Sequence, residues 1–156
     1  MRKNQLKILK NNMTHVTQTT LPVKEKQIKR SWHLVDASSR PLGRMVPEVI
    51  RFLEGKNKVI YVPHLDMGDF VIVVNAKKVS VSGKKEQQKT YTRFSGYPGG
   101  LKTIPFQKMK ENHPEEIIRH AVSGMLPKNK LKKKRLARLF IFPEENHPYK
   151  AKLRES

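Results

Sequence analysis

The 156-residue chain has no cysteine, few acidic residues, few aromatic ones and no long apolar run. Without cysteine there is neither a disulfide framework nor a thiolate-bound metal, which fits a reducing compartment. Every apolar stretch falls well short of the roughly 18 residues that cross a bilayer. The N-terminus lacks the apolar core of a secretory signal. It holds no acidic residue before Glu25, as an organellar transit peptide would, yet it favours Lys and Asn over Arg and Ser. Residues 1–30 therefore read as a basic arm, solvated or ordered on a partner.

The scarcity of acid leaves 33 Lys plus Arg against 13 Asp plus Glu, a formal charge of +20 and a pI near 10.4. A compact domain with that imbalance repels itself unless a polyanion shares the field. A membrane surface would need an amphipathic helix with a spare apolar face, and each apolar stripe here is better used as core. Nucleic acid is the partner left, and counterion release supplies the drive for binding it.

From Ser31 onward the pattern becomes that of a folded domain. Trp32, Leu34 and Val35 run into Asp36 as a short strand, and residues 37–41 form a turn. Leu42, Met45, Val46, Val49, Ile50 and Leu53 recur at helical spacing before the stop at Gly55. Pro47 inside this stretch is tolerable only near a first turn. Residues 59–63 read as a short extended piece. Phe70, Val71, Ile72, Val73 and Val74 make the continuous apolar run of a strand covered on both faces. Residues 79–81 suggest another strand, and residues 84–102 a long, polar, Gly-rich loop of the functional kind. One helix contains Phe106 and Met109, and a second starts at Pro114 with a stripe of Ile117, Ile118, Ala121, Val122 and Met125. Residues 139–142 close the series as a strand. The order predicts an α/β fold: a three-layer α/β/α domain over residues 31–142 with a small, mostly parallel sheet, basic extensions at both ends, and a tail at 143–156.

Several stretches are familiar as sequence. Residues 32–44 read W-H-L-V-D-A-S-S-R-P-L-G-R, residues 61–75 Y-V-P-H-L-D-M-G-D-F-V-I-V-V-N, and residues 79–83 V-S-V-S-G. Residues 95–102 read S-G-Y-P-G-G-L-K and residues 122–128 V-S-G-M-L-P-K. In this order they closely resemble the family of large-ribosomal-subunit protein thirteen, bacterial and organellar type, across residues 31–150. The family usually carries glycine shortly after the Leu126-Pro127 turn, where this chain has Lys132-Lys133-Lys134-Arg135. The resemblance implies a parallel-sheet α/β fold, binding to large-subunit ribosomal RNA beside neighbouring ribosomal proteins, and a role early in subunit assembly. It also implies no enzymatic activity, no cofactor, no small-molecule substrate and no homo-oligomer. The expected location is the ribosome of the bacterial cytoplasm, or of an organelle.

Three groups of residues are candidates for RNA contact. The densest is Lys128, Lys130, Lys132, Lys133, Lys134, Arg135 and Arg138, with the side chains of the Lys132–Arg135 run expected to be unburied. Arg40, Arg44, Lys56 and Lys58 bracket the first helix, whose start would offer unpaired amides to an anion. That helix lacks a dinucleotide fingerprint, because Gly43 is its only glycine where three are needed. The excursion brings Lys84, Lys85, Lys89, Arg93, Tyr97 and Lys102, of which Arg and Tyr can stack on unpaired bases. Tyr91 and Phe94 read as local packing and Trp32 as core. His64, Asp66 and Asp69 lack a fourth ligand, so the aspartates are expected to bond backbone amides in a turn rather than hold a metal. His113, His120 and His147 show no metal-site spacing.

Overall fold

A computed structural model describes residues 24–154. The expected arm thus lies mostly outside the described residues, and its visible end is held. Arg30 donates to the carbonyls of Gly68 and Asp66, at 3.2 Å each. The first strand, β1 (Trp32–Asp36), leads through a turn tied by the Asp36 carboxylate, which accepts from the Ser38 amide at 2.9 Å. Helix α1 (Leu42–Glu54) follows as the periodicity predicts. Pro47 sits in its interior and denies the Gly43 carbonyl an amide partner. The helix ends at Gly55 in the left-handed region, φ 78°.

Strand β2 (Phe70–Val74) is the centre of the sheet, pairing in parallel with β1 on one side and β5 (Leu139–Ile141) on the other. That central place explains its unbroken apolar sequence. Val71 and Val73 face one layer, while Ile72 and Val74 are buried towards the other. The long crossover between β2 and β5 carries α2 (Lys85–Gln88), strands β3 (Thr90–Phe94) and β4 (Leu101–Pro105), then α3 (Phe106–Asn112), α4 (Pro114–Met125) and α5 (Lys132–Leu136). Helices α1 and α4 pack on the Val71 face. Met45, Val46, Val49, Leu53, Phe106, Ile117, Ile118 and Val122 form a fully buried core there, each large side chain contributing about 1.5–3 kcal/mol. The fold class is the expected one.

The opposite face is covered by the C-terminal segment, which the sequence presents only as a tail. Tyr149 stacks on Trp32 at 5.3 Å, Trp32 stacks on Phe70 at 4.4 Å, and α6 (Lys150–Arg154) lies beside β1 with the Lys152 ammonium 5.1 Å from the indole centre. Trp32 therefore belongs to a half-buried aromatic cluster and not to the main core.

Three local expectations are corrected. Residues 59–63 form no strand: 59, 60 and 63 lie in turns, and Val59 is fully exposed. Residues 79–81 form no strand. Val79 is buried as core while the Ser80 carbonyl accepts the Leu42 amide at 2.9 Å, so the segment props the start of α1 instead of extending the sheet. The supposed loop at 84–102 is α2 followed by an antiparallel β3–β4 hairpin. Gly68 has no room for a side chain: a Cβ there would lie 1.9 Å from the Leu53 carbonyl oxygen, where the segment before β2 passes under α1.

Candidate nucleic-acid interface

The expected RNA-contact residues divide by what their charges already touch. Some are spent inside the fold. Lys58 directs its ammonium at the Asp69 carboxylate, the Lys29 carbonyl at 2.6 Å and the Met67 carbonyl at 2.9 Å. A lysine has three donors, and all three are taken. Arg138 forks onto both oxygens of Asp66, a bidentate pair that is almost wholly buried. Arg135 comes off α5 into the core and donates to Glu54 Oε1 at 3.2 Å, its side chain 2% exposed and that of Glu54 1%. The expectation that the whole Lys132–Arg135 run is unburied is thus overturned at Arg135. A five-residue helix cannot point every side chain outward, and the one on its inner face neutralises a glutamate at the end of α1. Lys56 faces the other Glu54 oxygen at 2.6 Å from the surface side, and its pKa is raised by that carboxylate.

Asp66 and Asp69 make long-range ties where turn caps were expected. Asp69 accepts from the Ser31 amide at 3.1 Å and meets His33 Nε2 at 3.2 Å, besides Lys58. Burial pushes both carboxyls up, but the Arg138 pair at Asp66, and His33, Lys58 and the Ser31 amide at Asp69, outweigh it and hold both below the usual carboxylate range. A depressed folded-state pKa contributes stability above the unfolded value of about 3.9, lost as pH falls through the folded value. Urea midpoints should therefore hold steady from pH 7 down to about 5 as far as these two groups decide, then drop below about pH 4. Asp66→Asn and Asp69→Asn should flatten that drop. Among the described residues no His/Asp/Glu cluster has the arrangement of a metal site.

All the remaining cations but Arg40 have no carboxylate partner among the described residues, and nearly all project from the surface. Arg44 stands on the first turn of α1, Lys84 and Lys85 at the start of α2, and Arg93 and Lys102 opposite each other on β3 and β4. Lys128, Lys130, Lys133 and Lys134 are exposed around α5, with Lys132 half-buried beside them. Arg40 is engaged only by Glu48 at 3.1 Å, with both side chains open to water, a pair that opens at little cost. Arg44, Lys85 and Lys89 rim a cleft of about 500 Å³ floored by Leu42, Val81, Ala121 and Met125. The start of α1 offers fewer amides than expected, since those of Leu42, Arg44 and Met45 already bond the Ser80 and Pro41 carbonyls. Open side chains, not helix amides, make this surface basic. Tyr97 sits at the hairpin tip, 76% exposed. Tyr91 is half-buried, its ring 6.5 Å from that of Phe106. It packs locally as expected and so anchors the hairpin, whereas Phe94, expected to pack locally too, is exposed.

The internal ties were invisible in sequence because their partners lie far apart: 81 residues separate Glu54 from Arg135 and 72 separate Asp66 from Arg138. The one available signal was composition, since a buried acid in so basic a chain has many cations to choose from.

Comparison with known proteins places the sequence among ribosomal proteins. The sequence profile described as ribosomal protein L13 matches residues 30–148. A large ribosomal subunit protein uL13 from a Nostoc species is 52% identical over 136 residues, covering 87% of this chain and 89% of that protein. The uL13 proteins of Thermosynechococcus vestitus and Desulfitobacterium hafniense are 48% and 45% identical, covering 89% and 88% of this chain and 91% and 96% of theirs. A match of this extent, over the sheet, both core helices and the basic surface, places the chain in the ribosomal protein L13 family.

Proposed function

We propose that the chain is a structural constituent of the large ribosomal subunit, without enzymatic activity, which binds large-subunit ribosomal RNA through phosphate contacts and helps it fold early in assembly. The relatives bear the name of that subunit. The observation that carries the RNA reading is the division of cations. Once Lys58, Arg135 and Arg138 are set aside as internal ties, Arg40 as one of a surface pair and Lys56 as facing the buried Glu54, then Arg44, Lys84, Lys85, Arg93, Lys102, Lys128, Lys130, Lys132, Lys133 and Lys134 are left without acids among the described residues. Such an excess is self-repulsive in isolation and complementary to a folded polyphosphate. The sheet and its helices act as the rigid support, and specificity comes from the shape of the RNA more than from base contacts.

In this reading the partners are ribosomal RNA and adjoining ribosomal proteins. The chain works as a single copy in the bacterial-type cytoplasmic ribosome, with no small molecule and no membrane involved. Binding of the purified chain to large-subunit ribosomal RNA should weaken by about a thousandfold or more between 50 and 200 mM salt if six to ten phosphates are engaged. Filter binding across that range is the test. An affinity that barely changes with salt contradicts the reading.

A further inference from the structure

The hairpin leaves an apolar patch uncovered that the core does not need. Phe94 and Leu101 are cross-strand partners, 63% and 61% exposed, and Tyr97 rides on the turn between them. The turn is built to hold that tyrosine out. Gly96 and Gly99 have φ of 92° and 74°, and the Gly100 amide donates to the Tyr97 carbonyl at 2.9 Å. A Cβ at Gly100 would collide with Ser95 Oγ at 2.0 Å, so the turn closes tightly on itself. Strand alternation puts Arg93 and Lys102 on the other face of the same two strands, directly opposite one another. Like charges in that position destabilise a hairpin unless an anion lies across them. Residues 84–102 carry five cations and one carboxylate.

We propose that the hairpin tip is a stacking platform for unpaired bases of RNA. Phe94 and Tyr97 offer rings and Leu101 an aliphatic floor to one or two nucleobases, while Arg93 and Lys102, on the opposite face, take phosphates where the RNA strand wraps round the ribbon. This rests on the RNA reading above and adds the kind of RNA that this element takes: a loop or bulge, whose bases present open π-faces, and not a duplex, whose faces are covered. The charge of the strands decides between RNA and a protein surface. An apolar patch meant for a protein gains little from a pair of opposed cations behind it, whereas a nucleotide strand needs both.

The test uses the full chain and transcribed large-subunit ribosomal RNA. Phe94→Ser with Tyr97→Ser removes both rings and no charge. It is expected to lower affinity by about tenfold to a hundredfold with an unchanged salt slope. Arg93→Gln with Lys102→Gln is expected to lower the slope itself by about two. All four side chains are exposed, so circular dichroism should show the fold retained. As a second readout, the indole introduced by Tyr97→Trp should be quenched on adding the ribosomal RNA. Wild-type affinity and slope in the serine variant, or an unquenched indole, overturn the platform while the RNA reading stands. Wild-type RNA affinity in that variant together with lost capture of a neighbouring ribosomal protein overturns it in favour of protein docking. Failure of the unmodified chain to bind the RNA at all removes the reading beneath it.

Discussion

Glu54→Ala should lower the unfolding free energy by about 3–5 kcal/mol, the cost of leaving a buried charge without its partner. Glu54 ends α1 inside the core and Arg135 reaches it from α5. With the carboxylate gone, the guanidinium stays in a site that water does not reach, and its Nε already lacks an acceptor there. Domains of this size hold a total of only about 5–15 kcal/mol, so the variant should be marginal at best at physiological temperature. Urea unfolding checks it, through a lower midpoint with an unchanged slope. Two controls separate the cause from general damage. Glu48→Ala breaks the Arg40 pair, in which both side chains are open to water, and should cost less than about 1 kcal/mol. Replacing Glu54 and Arg135 together by Leu and Met should restore much of the loss, because a packed apolar pair spares both desolvation penalties.

Changing Lys128, Lys130, Lys133 and Lys134 to Gln should have the opposite signature. Stability should move by no more than about 0.5 kcal/mol, as for exposed positions elsewhere. Affinity for large-subunit ribosomal RNA at moderate salt should fall by about a hundredfold to a thousandfold, and the salt slope by about three to four. Equilibrium binding over a salt series reads both quantities. Arg135 must stay in this variant. It is the fourth residue of the same four-cation run, but its side chain is in the core, so neutralising it would unfold the domain and mimic a binding defect. An unchanged slope would show that these lysines stand idle in water.

The contrast between neighbours in that run shows what sequence can and cannot carry. The apolar run of β2 and the helical spacing of α1 and α4 are local patterns with one physical solution each, so sheet, helices and core were legible. The positive surplus was legible too, because it is a property of composition. Which cation faces in was not, since a short helix such as α5 takes its orientation from whatever lies beneath it, here Glu54. The hairpin was missed for a related reason. Thr90, Tyr91, Thr92 and Phe94 favour strands, but with one face on solvent and the other anchored only by Tyr91 they lack the apolar alternation that marks a buried strand. Val79 erred the other way, its apolar flank suggesting a strand although no sheet edge was there to receive it. The C-terminal cover depends on Tyr149 finding Trp32 across more than a hundred residues, a contact that local pattern does not encode.

The central claim is that the cations left without a carboxylate among the described residues are matched by ribosomal RNA. Sedimentation of the tagged chain from a low-salt extract of its own cells tests that claim most directly. The chain should travel with the large-subunit peak and its RNA. The same chain remaining at the top of the gradient, free of ribosomal RNA, would contradict the account.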